Sequence, residues 1–242
     1  MCGVGDGLTY STTEDFGVIS VTGRPYNVIT FDCYGTLIDW EGGIAAAFAK
    51  AAAEDGVRLD AGAVLRAYAE VEPEVERAWR PYREVLQESA ARVAQRLGWR
   101  VPYERCSFLP RSLPQWTPFA DTNAALEQLA AAGCRLGILS NVDDDLIAET
   151  RKHFTVPFDF VITAQQVRSY KPGRAHFDAA RQHIGDTHWL HAAQSNFHDI
   201  VPCNALGIPT AWINRKHEHA LPGGTPTHEF DDVAGLAAFV HG

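Results

Sequence analysis

The stretch YNVITFDCYGTLIDW, residues 26–40, predicts the first strand of the fold and a reactive group at its end. Residues 28–31 are apolar and β-branched or aromatic, as in a strand buried on both faces. Asp32 follows directly, where the chain leaves the sheet, and ligands of open α/β sheets bind beyond such carboxyl ends. Gly35 permits a tight turn and Thr36 places a hydroxyl nearby, so we expect a ligand site around Asp32.

The second half of the chain alternates strand and helix patterns. Apolar runs at 135–139, 158–163, 189–193 and 209–213 predict four further strands, each separated from the next by a helical pattern. Such alternation with short loops predicts the α/β class, with a doubly wound parallel sheet covered by helices on both faces. No GxGxxG follows the first strand, which argues against a dinucleotide cofactor.

Between the first strand and this alternating part, the periodicity is helical. Residues 41–116 contain three helical patterns followed by several prolines, and we interpret them as a helical insertion. The predicted organisation is an N-terminal extension at 1–24, with a hairpin near 16–21, and an α/β core formed by 25–40 and 117–242.

Composition limits the function classes. The chain of 242 residues has five scattered cysteines and no CxxC, which argues against disulfides or a zinc site and fits the cytoplasm. The formal charge of −9 argues against a nucleic-acid partner, and no apolar run is long enough for a membrane helix. A small anionic substrate would therefore depend on local positive groups and N–H donors.

Polar residues recur at the strand ends and converge on one predicted site. Its members are Asp32 with Thr36, Ser140 with Asn141, Lys171, and Ser195 with Asn196 and Asp199. A cation between two carboxylates keeps both ionised, so we expect Lys171 to do this for Asp32 and Asp199. Ionised Asp32 can then act as a nucleophile. Thr36 and Ser140 can bind an anion or an oxyanion, and Asp199 or Asn196 can orient water.

The motifs DCYGTL, ILSN, YKP, AQSNFHD and GIPTAWINR together resemble the haloacid dehalogenase superfamily, and most closely its (S)-2-haloacid dehalogenase (type II) branch. The resemblance implies a Rossmann-like core, a helical cap at 41–116 and Asp32 as the nucleophile. It also implies that the backbone N–H groups of Cys33 and Tyr34 hold the substrate carboxylate, with Ser140, Asn141 and Ser195 nearby. A homodimer is a further expectation from the resemblance.

The residue at 34 separates the branches of this superfamily. Phosphatases carry a second Asp two residues after the nucleophile, where this chain has Tyr34, and extra acidic residues for Mg²⁺ in the last motif, where it has Asp199. Halide leaves without a proton, so we expect a cofactor-free dehalogenase of short 2-haloalkanoic acids acting through an aspartyl ester. The alternatives are a Mg²⁺-dependent phosphatase, with the metal on Asp32 and Asp199, and a non-catalytic binding protein.

Three positions depart from the pattern of the well-studied dehalogenases. Phe177 stands where they have Tyr, and Gln194 where they have Ser. Their halide-binding Arg lies early in the cap, and Arg66 fits that place best, with Arg83 as a second candidate.

Overall fold

The computed structural model describes residues 25–242, and the predicted extension and hairpin lie outside this range. Six strands form one parallel sheet: β1 (Val28–Phe31), β2 (Arg135–Ser140), β3 (Phe160–Thr163), β4 (Trp189–Ala193), β5 (Thr210–Ile213) and β6 (His228–Phe230). Their spatial order is β3-β2-β1-β4-β5-β6. The strand order therefore reverses at β1, and open α/β sheets bind ligands at such a switch point.

Ten helices accompany the sheet in the described part of the chain. Five precede β2: α1 (Trp40–Ala53), α2 (Ala61–Val75), α3 (Tyr82–Arg96), α4 (Phe108–Ser112) and α5 (Thr122–Ala131). Five follow it: α6 (Asp144–Thr150), α7 (Ala164–Val167), α8 (Ala175–Ile184), α9 (Val201–Ala205) and α10 (Val233–His241). Within residues 25–242, no helix has the length and apolar character needed to cross a bilayer.

The α/β class and the five predicted strands are confirmed. β1 is fully buried because β2 and β4 flank it, with Phe31 level with Ile138 on one side and Ala192 on the other. Asp32 therefore emerges at the centre of the carboxyl edge. β6 was not predicted, since its sequence HEF has only one apolar residue and lacks a strand pattern.

Helices α1 to α4 pack on one another, with α2 against both α1 and α3, whereas α5 packs against α10. The side chain of Asp60 caps α2 by accepting from the Ala63 N–H at 2.8 Å. Pro73 lies inside α2, which continues past it to Val75. Pro73 lies in the last turn, where its missing N–H removes a single bond near the helix end. The division of the chain at residues 41 and 116 stays a prediction.

Candidate active site

Asp32 leaves the carboxyl end of β1 in the middle of the sheet and is 8% exposed. Its backbone N–H donates to the Ala192 carbonyl at 3.0 Å. Its Oδ1 accepts from Lys171 Nζ at 2.9 Å, and its Oδ2 accepts from Thr36 Oγ1 at 2.9 Å. One donor thus holds each carboxylate oxygen, which orients the side chain and leaves further lone pairs for a ligand.

The buried Lys171 ammonium joins Asp32 to the second carboxylate. It donates to Asp32 Oδ1, to Asp199 Oδ1 at 2.6 Å and to the Leu139 carbonyl at 2.9 Å. Asn141 fixes the Lys171 backbone, accepting from its N–H at 2.8 Å and donating to its carbonyl at 3.1 Å. An ammonium has three protons and all three are used, so Lys171 acts on the carboxylates rather than as a donor to substrate.

Burial and the ion pairs set the protonation of these groups in opposite directions. Burial alone would raise the pKa of Asp199, but Lys171 and His191 lower it below the usual range of an aspartate. Burial would lower the pKa of Lys171, but Asp199 and Asp32 raise it above that of an ordinary lysine. Burial raises the pKa of Asp32, against the opposing effect of Lys171. Lys171 therefore favours ionisation of both carboxylates, as expected, but for Asp32 burial outweighs it.

A cavity of about 250 Å³ lies over these groups. Its lining on the sheet side includes Asp32, Ser140, Asn141, Lys171, Ser195 and Asp199. Its lining on the other side includes Tyr34, Trp40, Tyr68, Glu72, Glu76 and Trp116, so α1 and α2 face the sheet edge across it. Large aromatic walls limit the access of bulk water to such a cavity.

Two buried polar atoms at this cavity have no partner among residues 25–242. They are Ser140 Oγ and Asp199 Oδ2. Neither the Cys33 N–H nor the Tyr34 N–H donates a hydrogen bond within the same range. Because buried polar groups are normally paired, these atoms are suited to a ligand's polar groups or to water.

The structure places three predicted site residues in supporting positions. Thr36 Oγ1 donates to Asp32 and accepts from the Gln194 N–H at 2.9 Å, so it orients the Asp32 carboxylate rather than binding an anion. Ser195 lines the cavity, and its Oγ accepts from the His198 N–H at 3.1 Å. The Cys33 side chain is fully buried in the apolar core, so only its backbone can serve the site.

Of the two residues predicted to orient water, Asp199 lines the cavity and Asn196 does not. Its Nδ2 donates to the Gly224 carbonyl at 2.8 Å and its Oδ1 accepts from the Leu221 N–H at 3.1 Å. The amide therefore fastens the loop before β6 to the site. Asp199 is left as the group that can orient water.

Neither predicted halide-binding arginine lines the cavity, which corrects that expectation. The Arg66 side chain is 75% exposed and lies 4.0 Å from Asp60. Arg83 pairs with Asp143 at 3.5 Å and also binds Asp145. Both guanidinium groups thus lie outside the cavity lining. Apart from His198, Lys171 is the one basic side chain among the described residues that line the cavity.

The cap-side carboxylates were missed by sequence reasoning. Glu72 lines the cavity and its Oε1 accepts from Tyr68 at 2.8 Å and from Tyr82 at 2.7 Å. Tyr68 and Glu72 on α2 and Glu76, the residue that caps its C-terminus, recur every four residues, which places them on one side of the helix. That spacing could have identified them, because a Tyr and two acids on one stripe are unusual for a purely apolar face.

Glu76 is expected to carry a proton in the folded protein at neutral pH. Burial, reinforced by the charge of Glu72 and opposed by Lys171, raises the pKa of Glu76 to about 9. In the unfolded chain it ionises near its ordinary value of 4.5. Between these pH values the folded state binds more protons, so the free energy of unfolding falls as pH rises.

Glu76→Gln should therefore stabilise the protein increasingly from about pH 5 to about pH 9, by at least about 1 kcal/mol at the upper end. Urea unfolding of variant and parent across that range measures the difference. Glu74→Gln, on the same helix with a side chain 46% exposed, is the matched control and should show no such trend. A difference for Glu76→Gln that is constant with pH would contradict a raised pKa.

Known proteins are similar to this chain in both sequence and fold. The family described as haloacid dehalogenase-like hydrolase matches residues 26–192. The (S)-2-haloacid dehalogenase of Pseudomonas putida is 30% identical over 125 residues, which are 50% of this chain and 55% of that protein. The chain thus spans about half the length of the curated relatives that it matches.

Solved structures show the same architecture. The L-2-haloacid dehalogenase RSc1362 superposes with a TM-score of 0.79 at 22% identity, over 90% of this chain and 99% of that one. The L-2-haloacid dehalogenase of Xanthobacter autotrophicus, solved with chloropropionic acid covalently bound, gives 0.76 at 19%, over 90% and 99%. At these identities the likeness concerns the fold. The family match, over more than half of the sequence, shows that this chain belongs to the haloacid dehalogenase-like hydrolases.

Proposed function

We propose that the protein is a hydrolytic dehalogenase that converts short 2-haloalkanoic acids to 2-hydroxy acids through an ester on Asp32. The observation that carries the proposal is the linked set Asp32, Lys171 and Asp199, open to a cavity, in which Asp199 keeps one unpartnered oxygen. Curated relatives, which this chain matches over about half of their length, are named (S)-2-haloacid dehalogenases, and this supports the same chemistry.

The first half-reaction is a displacement at carbon. An Asp32 oxygen forms a bond to the carbon that bears the halogen, and the carbon–halogen bond breaks with its electron pair leaving on the halide. Ser140 Oγ and the backbone N–H groups of Cys33 and Tyr34 are the donors available to the substrate carboxylate. Halide needs no proton to leave, so the Tyr at position 34 is compatible with this step.

The second half-reaction returns the enzyme to its starting state. Water attacks the carboxyl carbon of Asp32, and Asp199 takes the proton from that water. The bond between this carbon and the ester oxygen breaks, and the leaving oxygen takes the proton held by Asp199, which gives the 2-hydroxy acid. The second proton of the water remains on the Asp32 carboxyl and is released to solvent, so that Asp32 is ionised again. The low pKa of Asp199 keeps it ionised, as an acceptor of that proton must be.

The donor set fits Mg²⁺ poorly. Lys171 Nζ already bridges Asp32 Oδ1 and Asp199 Oδ1, the two oxygens that would otherwise face a shared cation. Mg²⁺ favours a near-ideal octahedron of oxygen ligands, and two carboxylates that already bind an ammonium offer a thin site. The phosphatase alternative therefore has no supporting observation at this site, and no step is routed through a metal.

The acidic residues that line the cavity affect which substrate charges it can admit. Glu72 and Glu76 lie opposite the sheet edge, and an anionic substrate would be repelled if both were ionised. Because the pKa of Glu76 is raised to about 9, Glu76 is neutral at physiological pH. A small monoanion is therefore admitted there more readily than a phosphate dianion.

Halide and phosphate release measured side by side test the proposal. Short 2-chloro- and 2-bromoalkanoates, in both enantiomers, and a panel of small phosphate monoesters are incubated with the enzyme, with Mg²⁺ or with EDTA. We expect halide release that EDTA does not reduce, and no phosphate release. Phosphate release that requires Mg²⁺, with no halide release, would overturn the proposal, and inactivity on both panels would favour a binding protein.

A further inference from the structure

A fully buried histidine under the site has no part in the reaction described above. His191 lies in the middle of β4, is 0% exposed and contacts the ring edge of Phe177, with the centroids 5.4 Å apart. Its Nδ1 lies 2.8 Å from Thr30 Oγ1, on β1, and its Nε2 lies 2.9 Å from Asp199 Oδ1. His191 therefore connects the interior of the sheet to the second carboxylate.

The direction of these hydrogen bonds follows from donors that cannot accept. The indole N–H of Trp189 is a donor only, and it donates to Thr30 Oγ1 at 2.7 Å. The Thr30 hydroxyl proton has His191 Nδ1 as its one acceptor in the described part of the chain. If Thr30 donates, Nδ1 is unprotonated and the imidazole proton lies on Nε2, where it is donated to Asp199. This tautomer pairs every donor in the series.

The result is an asymmetric Asp199. Its Oδ1 receives two donors, Lys171 Nζ at 2.6 Å and His191 Nε2 at 2.9 Å. Its Oδ2 is buried and has no partner among the residues that the structure describes. Two donors on one oxygen fix the rotation of the carboxylate about its χ2 bond, so the other oxygen is presented at a defined position.

We propose that His191 is a positioning residue for hydrolysis of the Asp32 ester: it holds Asp199 Oδ1 so that Oδ2 faces the attacking water. The proposal rests on the proposed function. Water forms a bond to the carboxyl carbon of Asp32 while Oδ2 takes one of its protons. The bond from this carbon to the ester oxygen then breaks and that proton passes to the leaving oxygen, while the second water proton is released from the Asp32 carboxyl to solvent. His191 contributes no proton and acts through Asp199. Formation of the ester does not need Asp199 Oδ2, so the two half-reactions depend differently on His191.

The first test compares His191→Leu with His191→Gln, whose amide can still donate to Asp199. Rapid mixing with 2-chloropropionate, followed by intact-mass analysis, gives the rate of ester formation and the rate of its loss. In His191→Leu we expect ester loss to slow by about ten- to a hundredfold, the effect of removing a hydrogen bond to a charged group. Ester formation should change by less than about threefold, so the ester accumulates. His191→Gln should restore most of the rate of ester loss. The control is His228→Leu, on β6, which should change neither rate.

Equal slowing of both half-reactions in His191→Leu would mean a merely structural role and would overturn the proposal. So would an unchanged rate of ester loss, or failure of a folded His191→Gln to restore it. Absence of both halide and ester with the parent enzyme would instead overturn the proposed function.

The second test needs no substrate. Long-range ¹H–¹⁵N spectra of the full chain report which imidazole nitrogen carries the proton, and Thr30→Val helps to assign the signal. We expect a neutral His191 with its proton on Nε2. A proton on Nδ1 alone, or on both nitrogens, would contradict the hydrogen-bond series whether or not the protein is a dehalogenase and whether or not His191→Leu folds.

Discussion

Asp32→Asn should abolish turnover, lowering halide release by about 10⁴-fold or more, as expected when a nucleophile is lost. The amide keeps the size of the carboxylate and can still accept from Lys171, so the fold should persist while the attacking oxygen loses its charge. Halide release from 2-chloropropionate measures the loss. Intact mass must confirm that the amide has not hydrolysed back to the acid during the assay.

Asp39→Asn is the matched control for this variant. Asp39 lies seven residues further along the same loop and caps α1 by accepting from the Gly42 N–H at 3.0 Å. Asparagine caps helices about as well as aspartate, so this variant should keep full activity. Ordinary halide release by Asp32→Asn would contradict a covalent role for Asp32.

The parent enzyme provides an independent check of the same step. In a single turnover in water enriched in heavy oxygen, the label should enter the Asp32 side chain, and the product should keep an unlabelled oxygen from that side chain. Label in the first product, with an unlabelled protein, would indicate direct attack by water and would end the ester route.

Lys171→Met should have the largest effect on stability, about 3–5 kcal/mol in the free energy of unfolding, the range for breaking a buried ion pair from one side. Methionine fills a similar volume but leaves Asp32 and Asp199 buried without their cation. Urea unfolding near neutral pH measures the loss, and activity should disappear because both carboxylates then take up protons more readily.

The pH dependence of this loss follows from Asp199. Its pKa is lowered in the folded protein, so its contribution to stability is present above the unfolded value and is lost as pH falls. The deficit of Lys171→Met should therefore be largest near neutral pH and shrink in acid. Lys152→Met, whose side chain is 68% exposed beside Glu149, should leave the unfolding curve nearly unchanged. A deficit that grows in acid would contradict the assigned ion pairs.

The sheet and its reactive edge could be predicted because both depend on local patterns. A strand buried on both faces has a mostly apolar run, as residues 28–31 and 189–193 do apart from Thr30 and His191, and a polar residue after such a run lies at the carboxyl edge. Convergence of Asp32, Lys171 and Asp199 then follows from parallel topology. β6 was not predicted because three residues are too few to show the two-residue periodicity of a strand.

The far side of the cavity could not be predicted in the same way. The position at which α2 crosses the sheet edge depends on packing between helices. The sequence therefore could not show that Arg66 is exposed while Glu72, six residues later on α2, lines the cavity. The position of the Asn196 side chain could not be predicted for another reason. Its amide donates to the carbonyl of Gly224, a residue 28 positions away in the sequence, and a local motif cannot show such a contact.

All three protons of the Lys171 ammonium are used within the site, and this affects how each catalytic cycle would end. In the resting site two carboxylates share one ammonium, so the group carries one net negative charge. Esterification of Asp32 would remove that excess, and release of the ester would restore it. The regenerated enzyme would thus repel the hydroxy-acid anion just formed, which favours its departure, and it would repel an incoming haloacid anion equally, so substrate binding would depend on Ser140 Oγ and the N–H groups of Cys33 and Tyr34.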